Sequence, residues 1–298
     1  MDVDANSFHN RLKNACEQKK SYLCVGIDPR QQYLPNPWNT SASDFKTIAQ
    51  SFLAFGKEII DLVHRDVPII KPQSAFFEML GHFGVKALED LSAYAHDKNL
   101  MVIGDVKRGD IGSTAEAYAQ AAFRLHQGRP LFDAVTVNPY LGADGVLPFV
   151  RAAQDVGSGV FVLCKTSNPS SSDLQDVITD EAISIYSLVA KMITKWGSDQ
   201  PGLVGAVVGA THPQELAALR HQLPNAWILI PGIGAQGGQI KDVLTGFGQG
   251  PCQSLLSASR SITFPWLNQG IDAPEHWRAL VTKAVENINS ETRRHLFQ

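Results

Sequence analysis

The feature that most constrains this chain is a recurrence. Short apolar, β-branched runs appear eight times, at Tyr22–Ile27, Val67–Ile70, Leu100–Ile103, Ala134–Val137, Val160–Cys164, Leu203–Val208, Trp227–Ile230 and Ser254–Ala258. Segments of helical periodicity separate them. Most runs are apolar without alternation, as parallel strands covered on both faces must be. Eight β units alternating with helices predict an α/β fold, a (β/α)8 TIM barrel, over an open sheet. The 298 residues suit one such barrel with an addition, so residues 1–298 read as a single domain. Gln31–Ser43, rich in Pro, Asn and Ser, reads as an insertion after strand 1. An extra helix is expected to follow from about Asp44 to His64, which makes the whole addition about residues 31–64. Ser113-Thr114-Ala115-Glu116 and Thr211-His212-Pro213-Gln214 both have capping-box spacing and should open helices.

Composition narrows the class of partner. The formal net charge of -3 points to neither nucleic acid nor an anionic membrane, so an anionic ligand needs a local positive site. The N-terminal MDVDANSFHN has no basic n-region and no apolar h-region, and no apolar run approaches the ~18 residues of a spanning helix. Cys16, Cys24, Cys164 and Cys252 form no CxxC pair and read as reduced thiols of a cytoplasmic protein. The nine histidines show no HxH or HxxxH spacing, so no metal site is expected. His64, His82, His96, His126 and His221 are expected on helix surfaces or ends.

In barrels of this kind the active site gathers at the C-terminal ends of the strands. Those ends carry Asp28, Lys71, the run Gly104–Asp110, Asn138, Lys165–Asn168, Pro231–Gly238 and Ser259-Arg260-Ser261. Asp105 and Lys107 are two apart and in extended chain face the same way, with Lys71 arriving on the neighbouring strand. Two lysines and two aspartates, Asp110 being the fourth, can then alternate in one site and hold each other charged. A D-x-K-x-x-D string by itself is more often a solvated loop; delivery by an apolar strand favours the site. The glycine-rich loop after strand 7 can aim backbone N–H groups at an anion, and Arg260 can grip phosphate bidentately. That loop also spells G-x-G-x-x-G, but it lies late in the chain with no acidic strand end following, which argues against a dinucleotide site.

At these residues the chain resembles the orotidine 5′-phosphate decarboxylase family in its longer bacterial form. The resemblance runs from Val25-Gly26-Ile27-Asp28 to Ser259-Arg260-Ser261. It rests on Asp105-Val106-Lys107-Arg108-Gly109-Asp110-Ile111 with Thr114, on Ile70-Lys71-Pro72-Gln73, and on the Gly232–Gly238 loop. It implies that Asp28 and Lys71 bind the ribose hydroxyls, with Lys71 also in the charge network. It implies that Asp105 sits against the substrate carboxylate and that Lys107 gives its proton to C6 of the pyrimidine. Asp110 and Thr114 would reach into a partner subunit, giving a homodimer with shared active sites. Ser167 would bind the base. Gln236 and Arg260 would hold the 5′-phosphate, helped by loop amides such as those of Gly234 and Gly237. One departure stands out: Ser170 occupies a place where the pattern has glycine. No cofactor or metal is implied, because a fixed ammonium can stabilise a C6 carbanion and then protonate it.

Two alternatives share these features. A sugar-phosphate lyase on the same barrel would need a metal to stabilise an enediolate, and an ammonium at Lys71 competes with that cation. A non-catalytic nucleotide-binding barrel would keep the phosphate grip but not depend on Lys107.

Overall fold

Each of the eight apolar runs forms a strand in the computed structural model, which describes residues 6–39, 41–126, 128–233, 239–248 and 253–296. The strands are β1 Leu23–Ile27, β2 Ile69–Pro72, β3 Met101–Arg108, β4 Ala134–Val137, β5 Gly159–Lys165, β6 Val204–Val208, β7 Ile228–Pro231 and β8 Ser254–Ala258. All neighbouring pairs are parallel, and β1 pairs with both β2 and β8, so the sheet closes into a barrel. The long helices are α1 Phe8–Lys19, α2 Phe45–Val63, α3 Gly81–Asp97, α4 Gly112–Phe123, α5 Ala143–Asp155, α6 Ile185–Trp196, α7 Pro213–Gln222 and α8 Trp277–Leu296. This is the (β/α)8 barrel expected from the eight-fold alternation. No helix among the described residues is long and apolar enough to cross a membrane.

The strands read as unbroken apolar runs because they bury both faces. Val25, Ile70, Val102, Val135, Val162 and Leu256 point outward into the layer under the helices. Cys24, Ile69, Met101, Ile103, Ala134, Phe161, Trp227, Leu229 and Leu255 point into the barrel and fill its lower part. Helix α1 closes the floor beneath them. Phe8 meets Phe161 edge-on at 5.9 Å, and Trp227 donates from Nε1 to His9 Nδ1 at 3.1 Å. Buried Asp133, just before β4, ties this floor to the wall. It pairs with Arg11 of α1, bonds His96 Nε2 at 3.0 Å and accepts from the Val102 backbone at 2.8 Å. His96, expected on a helix surface or end, lies in the last turn of α3 but is buried, because Asp133 gives its ring a partner.

Cys16, Cys24 and Cys164 are free and buried, and burial pushes the thiols of Cys24 and Cys164 up to about 12. Cys252 lies outside the described residues.

Local signals succeeded unevenly. Asp44 caps α2, its Oδ1 accepting from the Thr47 backbone at 2.9 Å, and the buried series Ile48, Phe52, Phe55, Ile59 and Val63 lines one helical face. Helix α2 is the long helix between β1 and β2 and packs beside α3 and α8. It therefore takes the first unit's own place in the outer ring, and the added material reduces to residues 31–43. Neither capping box forms. Helix α4 begins at Gly112, whose φ of +54° starts the turn ahead of Ser113, and Ile111 caps without a side-chain bond. Helix α7 begins at Pro213, which has no N–H to cap, and the ring of His212 bonds the Thr166 carbonyl at 3.1 Å instead.

The barrel floor should be the costliest place to cut. Phe161→Ala is expected to lower the unfolding free energy by about 3–5 kcal/mol, read as a fall in the urea midpoint with an unchanged slope.

Candidate active site

The upper interior of the barrel is polar. Strand β3 carries Asp105 and Lys107 to the mouth, and β2 carries Lys71 beside them. Lys71 Nζ lies 2.7 Å from Asp105 Oδ2, and Lys107 Nζ lies 2.5 Å from Asp105 Oδ1. Two neutral donors complete the shell: Gln73 Nε2 at 3.0 Å from Oδ2 and Thr136 Oγ1 at 2.9 Å from Oδ1. Both oxygens of one carboxylate are thus held by four donors from three strands or their ends. Asp105 and Lys71 are about 5% and 6% exposed, whereas the Lys107 side chain is 45% exposed and open to a ligand.

The two lysines differ in role because they differ in burial. Burial pulls the Lys71 ammonium down, but Asp105 and Asp28 outweigh it and hold the group above its ordinary range. Burial likewise pushes the Asp105 carboxyl up, and the ammonium groups of Lys71 and Lys107 more than reverse this. Asp105 therefore stays ionised well below the usual carboxylate range.

Lys107 does not reach Asp105 along extended chain. Its φ is +42°, in the left-handed region, and the β3–β4 register shifts between Gly104 and Arg108. Such a conformation costs a non-glycine residue about 1–3 kcal/mol. The Lys107 N–H donates to Thr136 Oγ1 at 3.0 Å, so Thr136 holds both the strained backbone and the carboxylate.

Other residues singled out in the sequence fall around this centre. Asp28, just past β1, has a buried Oδ1 with no hydrogen-bond partner among the described residues. It borders a cavity of about 280 Å³ shared with Lys71, Asp105, Ser259 and Arg260. Ser167, just past β5, borders a second cavity of about 820 Å³ that also reaches Lys71, Asp105 and Lys107. A side chain at Gly209 would meet Ser167 at 2.8 Å, so glycine is what lets β6 pass so close. Ser170 lies in a 3-10 turn, Pro169–Ser171, without positive φ, and the backbone there has no need of glycine. Asp110 does not join the cluster: its Oδ1 accepts from the Ile111 backbone at 2.8 Å, and Thr114 is exposed on α4. Gln236, Gly234 and Gly237 lie outside the described residues.

Comparison with known proteins settles the lineage. The model of the orotidine 5′-phosphate decarboxylase / HUMPS family matches residues 21–264. The chain belongs to this decarboxylase family. A relative named orotidine 5′-phosphate decarboxylase from Rhodopirellula baltica is 40% identical over 300 residues, covering 96% of this chain and 98% of its own. Another, from Caldicellulosiruptor saccharolyticus, is 35% identical and covers 95% and 98%. Among solved structures, the OMP decarboxylase of Leishmania donovani superposes with a TM-score of 0.75 at 33% identity, covering 96% of this chain and 98% of that one. The chain also spans 56% of Leishmania donovani UMP synthase, with a TM-score of 0.77 and 35% identity over 96% of this chain.

Within this decarboxylase family member, the sequence reading assigned no role to two of the four donors on Asp105. Gln73 follows Lys71 by two residues and so shares its face, a signal that was available. Thr136 is a polar residue on the inward face of an otherwise apolar β4, next to Ala134, and was equally legible. Lys165 was also unassigned. It is about 1% exposed and pairs with Asp176 at 2.6 Å, while Gln175 bonds the Thr166 backbone at 2.9 Å. Together these contacts tie the loop after β5 to the strand that presents Ser167.

The signs of the two shifts set the pH behaviour. The stabilisation from Asp105 is complete above its ordinary value of 3.8 and is lost as pH falls through its lowered value. The contribution of Lys71 is complete below 10.5 and is lost as pH rises through its raised value. Carbon-13 labelling of the aspartate carboxyls should therefore show Asp105 ionised at every pH from about 8 down to about 4; a resonance titrating near 4 would mean the two ion pairs do not form.

Proposed function

We propose that this protein removes CO2 from orotidine 5′-phosphate to give uridine 5′-phosphate, in pyrimidine biosynthesis. The observation that carries the reading is the Asp105 carboxylate fixed between Lys71 and Lys107 where the two cavities meet. A nucleotide lying across both cavities has its base towards Ser167, its ribose near Asp28 and Lys71, and its phosphate towards Arg260. The Asp28 Oδ1, without a partner among the described residues, is an acceptor that a ribose hydroxyl can satisfy.

The reaction needs little more than these groups. The C6–carboxylate bond breaks, its electron pair stays on C6, and CO2 leaves. The Lys107 ammonium, steered by Asp105, stabilises that pair as it forms and then passes a proton from Nζ to C6. Solvent at the exposed side chain returns the proton to the amine. Asp105 beside the departing carboxylate adds repulsion that is relieved as CO2 forms, with binding of the distant phosphate offsetting it. A metal-assisted lyase fits less well, because the buried Lys71 ammonium stands where a cation would have to bind.

The same reading makes the enzyme a cytoplasmic homodimer that shares its active sites. Asp110 makes no ion pair with its own cluster among the described residues, and Thr114 is exposed. Around them Met79, Ile111, Tyr140 and Leu141 are exposed, Tyr140 at 75%. Apolar exposure of that kind around a site marks a surface that a second copy can cover. The second copy's Asp110 would then complete the Lys–Asp–Lys–Asp alternation.

Two measurements test this. With chelator present, the protein is expected to consume orotidine 5′-phosphate, and Lys107→Ala to lose at least about 10³-fold in kcat while still binding uridine 5′-phosphate. Absence of turnover, or its loss to chelator, would overturn the function. For the shared site, Lys107→Ala and Asp110→Ala are each expected to be inactive alone. Mixed and reassembled, they should recover about a quarter of wild-type activity, since half the dimers are mixed and each has one intact site. No recovery from a mixture shown to exchange subunits would place Asp110 in its own chain's site.

A further inference from the structure

Residues 30–33, just after β1, bring a second cation to the cavity that holds Arg260. Arg30 follows Asp28 by two residues and is half-buried. Its Cζ lies 5.0 Å from the centroid of Phe76 and 6.0 Å from that of Tyr33. Aromatic rings at that range can hold a guanidinium while its N–H groups stay available to an anion. Among the described residues neither Arg30 nor Arg260 is in an ion pair with a carboxylate. Both border the same 280 Å³ cavity, together with Asp28, Gly232 and Ser259.

The fold keeps the two arginines together. They leave adjacent strands, β1 and β8, paired through Val25 and Ala258. At the strand ends the backbone of Gly26 lies against Ser259 so closely that a side chain there would meet Ser259 Oγ at 1.9 Å. Beyond, Tyr33 packs edge-on against Phe264 at 5.9 Å, joining the 3-10 turn Gln31–Tyr33 to the residue that ends the short helix Arg260–Thr263.

We propose that Arg30 is a second cation for the 5′-phosphate of the substrate, acting opposite Arg260. This inference rests on the function proposed above. A phosphate monoester carries close to two negative charges near neutral pH, and one guanidinium balances only half of that. The segment 31–43 then has a function: its Tyr33 stacks on Arg30 and presents it to the phosphate.

The test compares orotidine 5′-phosphate with orotidine, which lacks the phosphate, for wild type, Arg30→Met and Arg30→Lys. Arg30→Met is expected to lower kcat/KM for the nucleotide roughly 10- to 100-fold, the range of one charge-assisted contact. Its kcat/KM for orotidine should be unchanged, inhibition by inorganic phosphate should weaken in parallel, and Arg30→Lys should restore part of the loss. Equal losses on both substrates would mean that Arg30 only supports the loop, and no loss would mean that it does not meet the phosphate; either overturns the inference. Wild-type turnover of the nucleotide separates the two claims. If it is absent the proposed function fails, and if it is present while Arg30→Met is unaffected, only the role of Arg30 fails.

Discussion

The rest of this structure depends on one carboxylate held between two ammonium groups. Asp105 is almost wholly withdrawn from water, a placement that an isolated aspartate would escape by taking up a proton. Lys71 is buried just as deeply and would shed its proton if alone. Each is kept charged by the other, with Lys107 as the third member. Removing Asp105 leaves the buried Lys71 ammonium without its ion-pair partner, which typically costs about 3–5 kcal/mol. The arrangement is thus costly for stability alone, and it fixes a half-exposed ammonium, Lys107, against a buried counter-ion.

That fixity comes from the apolar half of the molecule. The lower barrel is filled by side chains from all eight strands and sealed by Phe8, Leu12 and Cys16 of the first helix. Above this plug the same inward-facing positions turn polar: Cys24 is followed by Asp28, Ile69 by Lys71, Ile103 by Asp105, Ala134 by Thr136. The packed floor holds the strand register, and register sets where the charged groups stand. Thr136 shows how closely the layers cooperate, because one hydroxyl accepts from the strained Lys107 backbone and donates to Asp105.

Much of this was legible because the signals were local or periodic. Strand β4 and strand β8 begin and end where their apolar runs do. Asp44 announces its helix, and Asp105 and Lys107 do meet, although through a left-handed Lys107 rather than the extended chain their period-two spacing implies. Where a reading failed, the geometry of a neighbouring residue or a distant contact had overruled a local rule. The capping box at Ser113 lost to the conformational freedom of Gly112. His96 was expected among helix surfaces and ends, and the helix end was right, but Asp133, 37 residues on, gives it a buried partner.

By itself the sequence determined the barrel, the polar strand ends and three members of the charge cluster, Lys71, Asp105 and Lys107, because burial on both faces and strand pleating leave their period in the chain. Only the tertiary structure decided which charges meet. It brought Gln73 and Thr136 to Asp105, turned Lys107 through a left-handed backbone, left Asp110 outside and set Arg30 in the cavity of Arg260. Those outcomes depend on barrel closure and register between strands far apart in the chain, and no local pattern encodes a distance of that kind.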